Sequence, residues 1–189
     1  MVQFLNATST YFEIENIISF AENKLVLISP YVQISKIMFE RLYYASEKRS
    51  VNITLVCRRN DLKQDEYMAL NKIPRLEMLD LPRLNAKCFY NEKSMIITSL
   101  NLVVSQVNNR EMGILMTREK EPKAFADAVG EAESMMQMAL LVKANKARER
   151  VNREQEKVQQ FISSDIRGDL RRAFPTFSKL LTQKKAVTH

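Results

Sequence analysis

The sequence predicts an α/β sandwich on a mixed sheet, followed by a basic helical extension. Three observations lead there. Over residues 1–142, segments with apolar residues at helical spacing alternate with short apolar runs, the pattern of helices packed on a sheet. Strand-like runs then crowd together between Leu76 and Met116 without long helical segments between them, so antiparallel pairs join the parallel ones and the sheet is mixed. From residue 143 the composition changes: residues 143–189 hold 12 Lys and Arg against 5 acidic residues and carry the whole formal charge of +7, whereas 17 basic and 17 acidic residues precede them. The expected organisation is therefore a domain at 1–142 and a basic helical extension at 143–189.

The elements follow in order. Thr10-Tyr11-Phe12-Glu13 has the spacing of a capping box and predicts a helix running to about Asn23, with Phe12, Ile17, Phe20 and Ala21 on its apolar face. Residues 25–28 form a continuous apolar run ending in Ser29-Pro30, as a buried strand does. Residues 35–48 predict a second helix, with an apolar stripe of Ile34, Ile37, Met38, Leu42 and Ala45. Residues 51–57 alternate and read as a strand. A short helix is expected at 61–71, stopped before Pro74, then a strand at 76–79. Residues 86–90 and 94–98, separated by Asn91-Glu92-Lys93, read as a β-hairpin, and 112–116 as one more strand. From Pro122 the period is helical through Phe125, Val129, Ala132, Met136 and Ala139. This helix is expected to continue into residues 143–160, which are rich in good helix formers, with Gly168 and Pro175 as later breaks.

Composition excludes several classes. No apolar run approaches the ~20 residues that span a bilayer, and residues 1–6 lack the basic-then-apolar pattern of a secretory leader. Cys57 and Cys88 both fall in apolar runs, as buried reduced thiols of a cytoplasmic protein do. They are not paired at ligand spacing, and the single histidine is His189, so neither a metal nor another cofactor is expected.

Chemistry concentrates in three blocks: Asn85-Ala86-Lys87 with Glu92 five residues on, Thr98-Ser99-Leu100-Asn101, and Asn108-Asn109-Arg110-Glu111-Met112-Gly113. Here the chain resembles the phospholipase D superfamily. That signature is His-x-Lys, four residues, Asp, then Gly-Ser-x-Asn after a short strand, and a Glu downstream. Lys87, Ser99, Asn101 and Glu111 match it, Glu92 stands at the Asp position and Thr98 at the Gly position, with one residue fewer between the first two blocks. Ser29-Pro30-Tyr31 after the first strand is also similar to the family's small nuclease-like members. The resemblance spans about residues 4–140 and leaves out the basic extension. It implies a phospholipase D-like fold and a metal-independent phosphodiesterase, most simply a nuclease acting on DNA or RNA.

The physical logic of such a site is direct. Attack on a phosphodiester loads charge onto the non-bridging oxygens, which fixed donors must hold. Lys87 offers an ammonium, Asn101 an amide N–H and Ser99 a hydroxyl, and alternation places Asn85 and Lys87 on one face. The resemblance implies that Glu111 orients the nucleophilic imidazole. It also implies a homodimer, because the family's sites pair two half-sites and this chain has one; the active site then lies on the two-fold axis. One imidazole attacks and the other protonates the leaving oxygen.

Asn85 departs from that pattern at the nucleophile. An amide neither attacks phosphorus nor shuttles a proton near neutral pH. The chain is therefore expected to bind a phosphodiester without cleaving it. Retention of Lys87, Ser99, Asn101 and Glu111 favours a single engineered His-to-Asn change over a drifted natural pseudoenzyme. Arg58, Arg59, Lys143, Lys146, Arg148, Arg150 and Arg153 are the further candidates for contact with nucleic acid, the last five along the basic extension. A catalytically silent nucleic-acid-binding protein is the first alternative. A lipid phosphodiesterase is the weaker one, because no membrane-inserting face is evident and stable membrane insertion is not expected.

Overall fold

The computed structural model describes residues 2–103, 110–145 and Glu156. The chain divides into two compact units, Met1–Ala147 and Arg148–His189. Of the second unit only Glu156 is described, as an exposed helical residue.

In chain order the first unit comprises β1 (Gln3–Asn6), α1 (Ala7–Ser19), β2 (Lys24–Ile28), β3 (Val32–Gln33), α2 (Lys36–Lys48), β4 (Asn52–Cys57), α3 (Gln64–Leu70), β5 (Leu76–Asp80), β6 (Cys88–Asn91), β7 (Ser94–Thr98), β8 (Leu102–Val103), β9 (Met112–Thr117), α4 (Pro122–Met138) and β10 (Leu140–Lys143). Eight strands form one sheet in the order β1-β9-β7-β6-β2-β4-β5-β10. The β2, β4 and β5 strands run parallel, and the rest join antiparallel, which makes the sheet mixed. The two-residue strands β3 and β8 pair apart from it, in parallel, with Val32 beside Leu102.

Strand alternation sorts the sheet into two faces. Leu25, Leu27, Leu55, Phe89 and Ile96 pack with Ile14, Ile17, Met38 and Leu42 from α1 and α2. Val26, Ile28, Val56, Cys88 and Tyr90 pack with Phe125 and Ala132 of α4 on the opposite face. The continuous apolar run of β2 is explained by this: Leu25 to Ile28 are all buried because helices cover both sides. The result is a three-layer α/β/α sandwich, the α/β architecture on a mixed sheet that the sequence predicts. Ser35 caps α2, its Oγ accepting from Met38 N at 3.0 Å. Pro122 opens the first turn of α4. Among the described residues no helix is long and apolar enough to cross a membrane.

Two expectations are corrected. First, α1 starts earlier than the Thr10 box predicts. Asn6 caps it, with Oδ1 accepting from Ser9 N at 2.9 Å, while Thr10 is buried inside the helix and donates to Asn6 O at 2.8 Å. The preceding residues pair with β9 as an edge strand, and that pairing fixes the helix entry. The inward face is then Thr10, Ile14, Ile17 and Ile18, leaving Phe12 and Phe20 exposed. Second, the last helix does not run on past residue 143. It stops at Met138, Ala139 turns extended, and Leu140–Lys143 add a strand to the free edge of β5. Pairing with an open sheet edge outweighs helix propensity there.

Candidate active site

The β6–β7 hairpin has two ends. Its open end lies where β2 finishes, because Ile28 pairs with Cys88 and Lys87 precedes Cys88. Ligand crevices of open α/β sheets form at the carboxyl ends of parallel strands. Past the Cys88–Ile97 pair, Thr98 N donates to Lys87 O at 3.2 Å and prolongs the ladder. The Lys87 Nζ donates to Asn85 O at 3.0 Å and Asn85 Oδ1 at 3.2 Å. An ammonium is thus fixed beside position 85, and Asn85 itself is exposed.

Ser99 follows β7 and Glu111 precedes its neighbour β9. Ser99 N donates to Met112 O at 3.0 Å, and Met112 N donates to Ser99 Oγ at 3.2 Å. That leaves the Ser99 hydroxyl proton for the Glu111 carboxylate, to which it donates in a short hydrogen bond. Gly113 permits the close approach that this requires, since a Cβ there would meet Thr98 Cβ and Oγ1 at 3.0 Å and Ile97 O at 3.1 Å. The side-chain oxygen of Asn101 is buried and finds no donor among the described residues.

Residues outside the three motif blocks hold these parts in place. The Ser29 hydroxyl is fully buried, donates to Tyr31 O at 2.7 Å and accepts from Leu102 N at 2.9 Å, next to Asn101. Tyr11 donates to the carbonyl of Val103. Burial first, and then the nearby Glu111 charge, raise the Tyr11 phenol above its ordinary pKa. No local pattern announces Tyr11; it reaches the site only through the packing of α1.

The remaining candidates are differently placed. Arg58 turns inward: Nε donates to Leu84 O at 2.6 Å, Nη1 donates to Tyr31 Oη at 3.1 Å and pairs with Asp61 at 3.6 Å. It braces the segment entering Asn85. The Arg59 guanidinium lies 4.4 Å from the Tyr67 ring centre and donates to Leu62 O at 3.4 Å. Lys143 is buried, with Nζ donating to Ile73 O at 2.8 Å and also to Leu76 O. Its expected role on a nucleic-acid surface is therefore corrected to a structural one. Lys146, Arg148, Arg150 and Arg153 lie outside the described residues.

Glu92 sits at the opposite, turn end of the hairpin. Its carboxylate accepts from the backbone N–H groups of Glu22, Asn23 and Lys24. Burial pushes its pKa up, but these hydrogen bonds outweigh burial and hold it below the ordinary carboxylate value. The residue at the motif's Asp position is thus a tie between turn and loop, away from Asn85. Cys57 and Cys88 are buried free thiols. Burial, with a smaller contribution from Asp80 and opposed by Arg59, pushes Cys57 up to about 12, and burial does the same for Cys88. An open groove of about 350 Å³ flanks Asn85 and Lys87 on the α4 side, lined mainly by apolar side chains such as Ile28, Ile97, Ala132 and Met135.

No family profile matches the sequence, and no curated protein matches it. Solved structures do. Nuc from Salmonella typhimurium, a phospholipase D family member, superimposes with a TM-score of 0.63 at 15% identity, covering 76% of this chain and 99% of that one. NucT from Helicobacter pylori gives 0.62 at 12%, covering 75% and 98%. TrmBL2, an archaeal chromatin protein described as having a novel mode of DNA binding, gives 0.53 at 14%, covering 75% of this chain and 53% of that chain. The chain has the fold of the phospholipase D superfamily.

Proposed function

We propose that this chain binds a phosphodiester of nucleic acid at the open end of the β6–β7 hairpin. The observation that carries the reading is the Lys87 ammonium held against exposed Asn85 at the open end of the hairpin, where the Ser99–Glu111 pair also lies. Lys87 and the amide N–H of Asn101 supply donors for a phosphoryl group, while the Glu111 carboxylate takes up the Ser99 hydroxyl proton. The resemblance gives Glu111 the role of orienting an imidazole at position 85.

With histidine at 85 the reaction is metal-independent hydrolysis in a homodimer. The imidazole of one protomer attacks phosphorus and the P–O bond to the leaving oxygen breaks. The partner protomer's imidazole gives that oxygen its proton, then takes a proton from the water that hydrolyses the phosphohistidine. Each chain supplies one half-site across a two-fold axis. With Asn85 the binding groups remain and the nucleophile is absent, so this chain holds the phosphodiester uncleaved.

The test is Asn85→His assayed on single- and double-stranded DNA and RNA in EDTA. Cleavage by the variant and none by the parent chain is the expected result, with the variant sedimenting as a dimer. A folded, dimeric and inactive Asn85→His protein favours the second reading, a nucleic-acid-binding protein without chemistry. The fold shared with TrmBL2, whose described property is DNA binding, supports that alternative. Hydrolysis of phosphatidylcholine vesicles in place of nucleic acid points instead to a lipid phosphodiesterase. The basic extension is read as a backbone clamp. Converting Lys146, Arg148, Arg150 and Arg153 to Gln lowers the salt slope of log K by about 3 on single strands if all four meet phosphates.

A further inference from the structure

Ser29-Pro30-Tyr31 holds one residue that the site described above does not use. Ser29 is a buried tie, but the Tyr31 side chain is 43% exposed. It is held firmly for an exposed aromatic. Ser29 Oγ anchors its carbonyl at 2.7 Å, Arg58 Nη1 donates to its hydroxyl at 3.1 Å, and the Arg58 guanidinium stands 5.3 Å from the ring centre. Arg58 is itself fixed by Leu84 O and Asp61.

Its position follows from two registers. Val32 pairs in parallel with Leu102, so Tyr31 comes just before β3 as Asn101 comes just before β8. Arg58 joins Tyr31 to the carbonyl of Leu84, which precedes Asn85. Tyr31 is thus tied through its hydroxyl and Arg58 to the segment that delivers Asn85, and its backbone leads into the strand paired with the one after Asn101. A pre-ordered, partly exposed aromatic beside a phosphate site has a defined use. Bases stack on such rings, and stacking tolerates any base because each has a π-face. Ordering the ring in advance removes the entropy cost of fixing it on binding.

We propose that Tyr31 is the stacking subsite for the base next to the bound phosphate, with Arg58 as its positioning residue, and that the substrate class is single-stranded nucleic acid. A base paired within a duplex has no free face to offer. The proposal rests on the nucleic-acid reading above and adds to it the strandedness and the contact.

The test uses the full chain and three labelled probes of equal length: a base-bearing single-stranded 12-mer, the same backbone without bases, and a duplex. Wild-type protein is expected to bind the base-bearing strand about tenfold more tightly than the abasic one. Tyr31→Ala abolishes that preference and leaves abasic affinity within about twofold. Tyr31→Phe, which keeps the ring and loses only the hydroxyl contact, retains it. A 2-aminopurine in the strand is quenched by wild type and by Tyr31→Phe, but not by Tyr31→Ala. Equal loss of affinity for the base-bearing and abasic strands in Tyr31→Ala overturns the proposal, because the ring then acts only by holding its loop. Equal wild-type affinity for the base-bearing and abasic strands, or tighter binding of the duplex, also overturns it. If wild type binds none of the probes, the nucleic-acid reading itself is wrong and the subsite falls with it.

Discussion

The two ends of the β6–β7 hairpin carry similar residues put to opposite uses. At the turn end, Glu92 accepts three backbone N–H groups, and Asn91 is buried with its Oδ1 accepting from Lys93 and Ser94 N and its Nδ2 donating to Ile17 O. Those polar groups are consumed by the fold. At the open end, among the described residues, Lys87 donates only to Asn85 and the Asn101 oxygen has no partner. A match to a motif position is therefore weak evidence of chemistry until the partners of that residue are known. Glu92 and Glu111 both match acid positions, and only Glu111 stands with the donor cluster.

Mutation can break this contrast, and the largest effect is expected at the turn. Glu92→Ala leaves three loop N–H groups without their acceptor and should cost about 2 kcal/mol in denaturant unfolding. Oligonucleotide affinity measured well below the melting temperature should not change. Loss of binding in the folded variant would erase the distinction between the ends.

Ser29→Ala tests the bracing of the open end. It strands the N–H of Leu102, and about 1–2 kcal/mol of stability should be lost. Here, unlike at Glu92, affinity should fall as well, because Asn101 is the next residue back. Gly113→Ala should cost about 1 kcal/mol through the clash with Thr98, and should disturb the Ser99–Glu111 pair more than the turn. An unchanged melting temperature would show that the sheet yields there.

The smallest effect is one of pH. The Glu92 carboxyl titrates lower in the folded chain than its ordinary value of 4.5, so its stabilisation is complete above that pH. As pH falls through the folded value the contribution is lost. The gap in melting temperature between wild type and Glu92→Gln should accordingly be constant above about pH 5 and close below pH 4. A gap that persists into acid would assign the effect to side-chain packing.

Much of this was legible in the sequence, and the rest was hidden for physical reasons. The run at Leu25–Ile28, the helix at 35–48 and the hairpin were readable because hydrophobic period and turn residues are local signals. The edge strands β1 and β10 were not: each is a short segment made a strand by the partner it meets, β9 in one case and β5 in the other. Lys143 looked like part of a basic tail because composition records charge and not direction. The motif located Asn85, Lys87, Ser99, Asn101 and Glu111 as a set, and the fold joins Asn85 to Lys87 and Ser99 to Glu111. Tyr11, Ser29 and Arg58 brace that set through contacts made by distant segments, which no spacing rule reports.

The central claim is that the open end is a phosphodiester site held ready without its nucleophile. Titration of a labelled single-stranded oligonucleotide with wild type and Lys87→Ala, at one fixed salt concentration, tests it most directly. Removing the ammonium beside Asn85 should weaken binding about tenfold or more while the melting temperature stays within a degree or two, since Lys87 contributes little to the fold. Equal affinity of the two proteins, both folded, would contradict the account and move nucleic-acid binding away from this site.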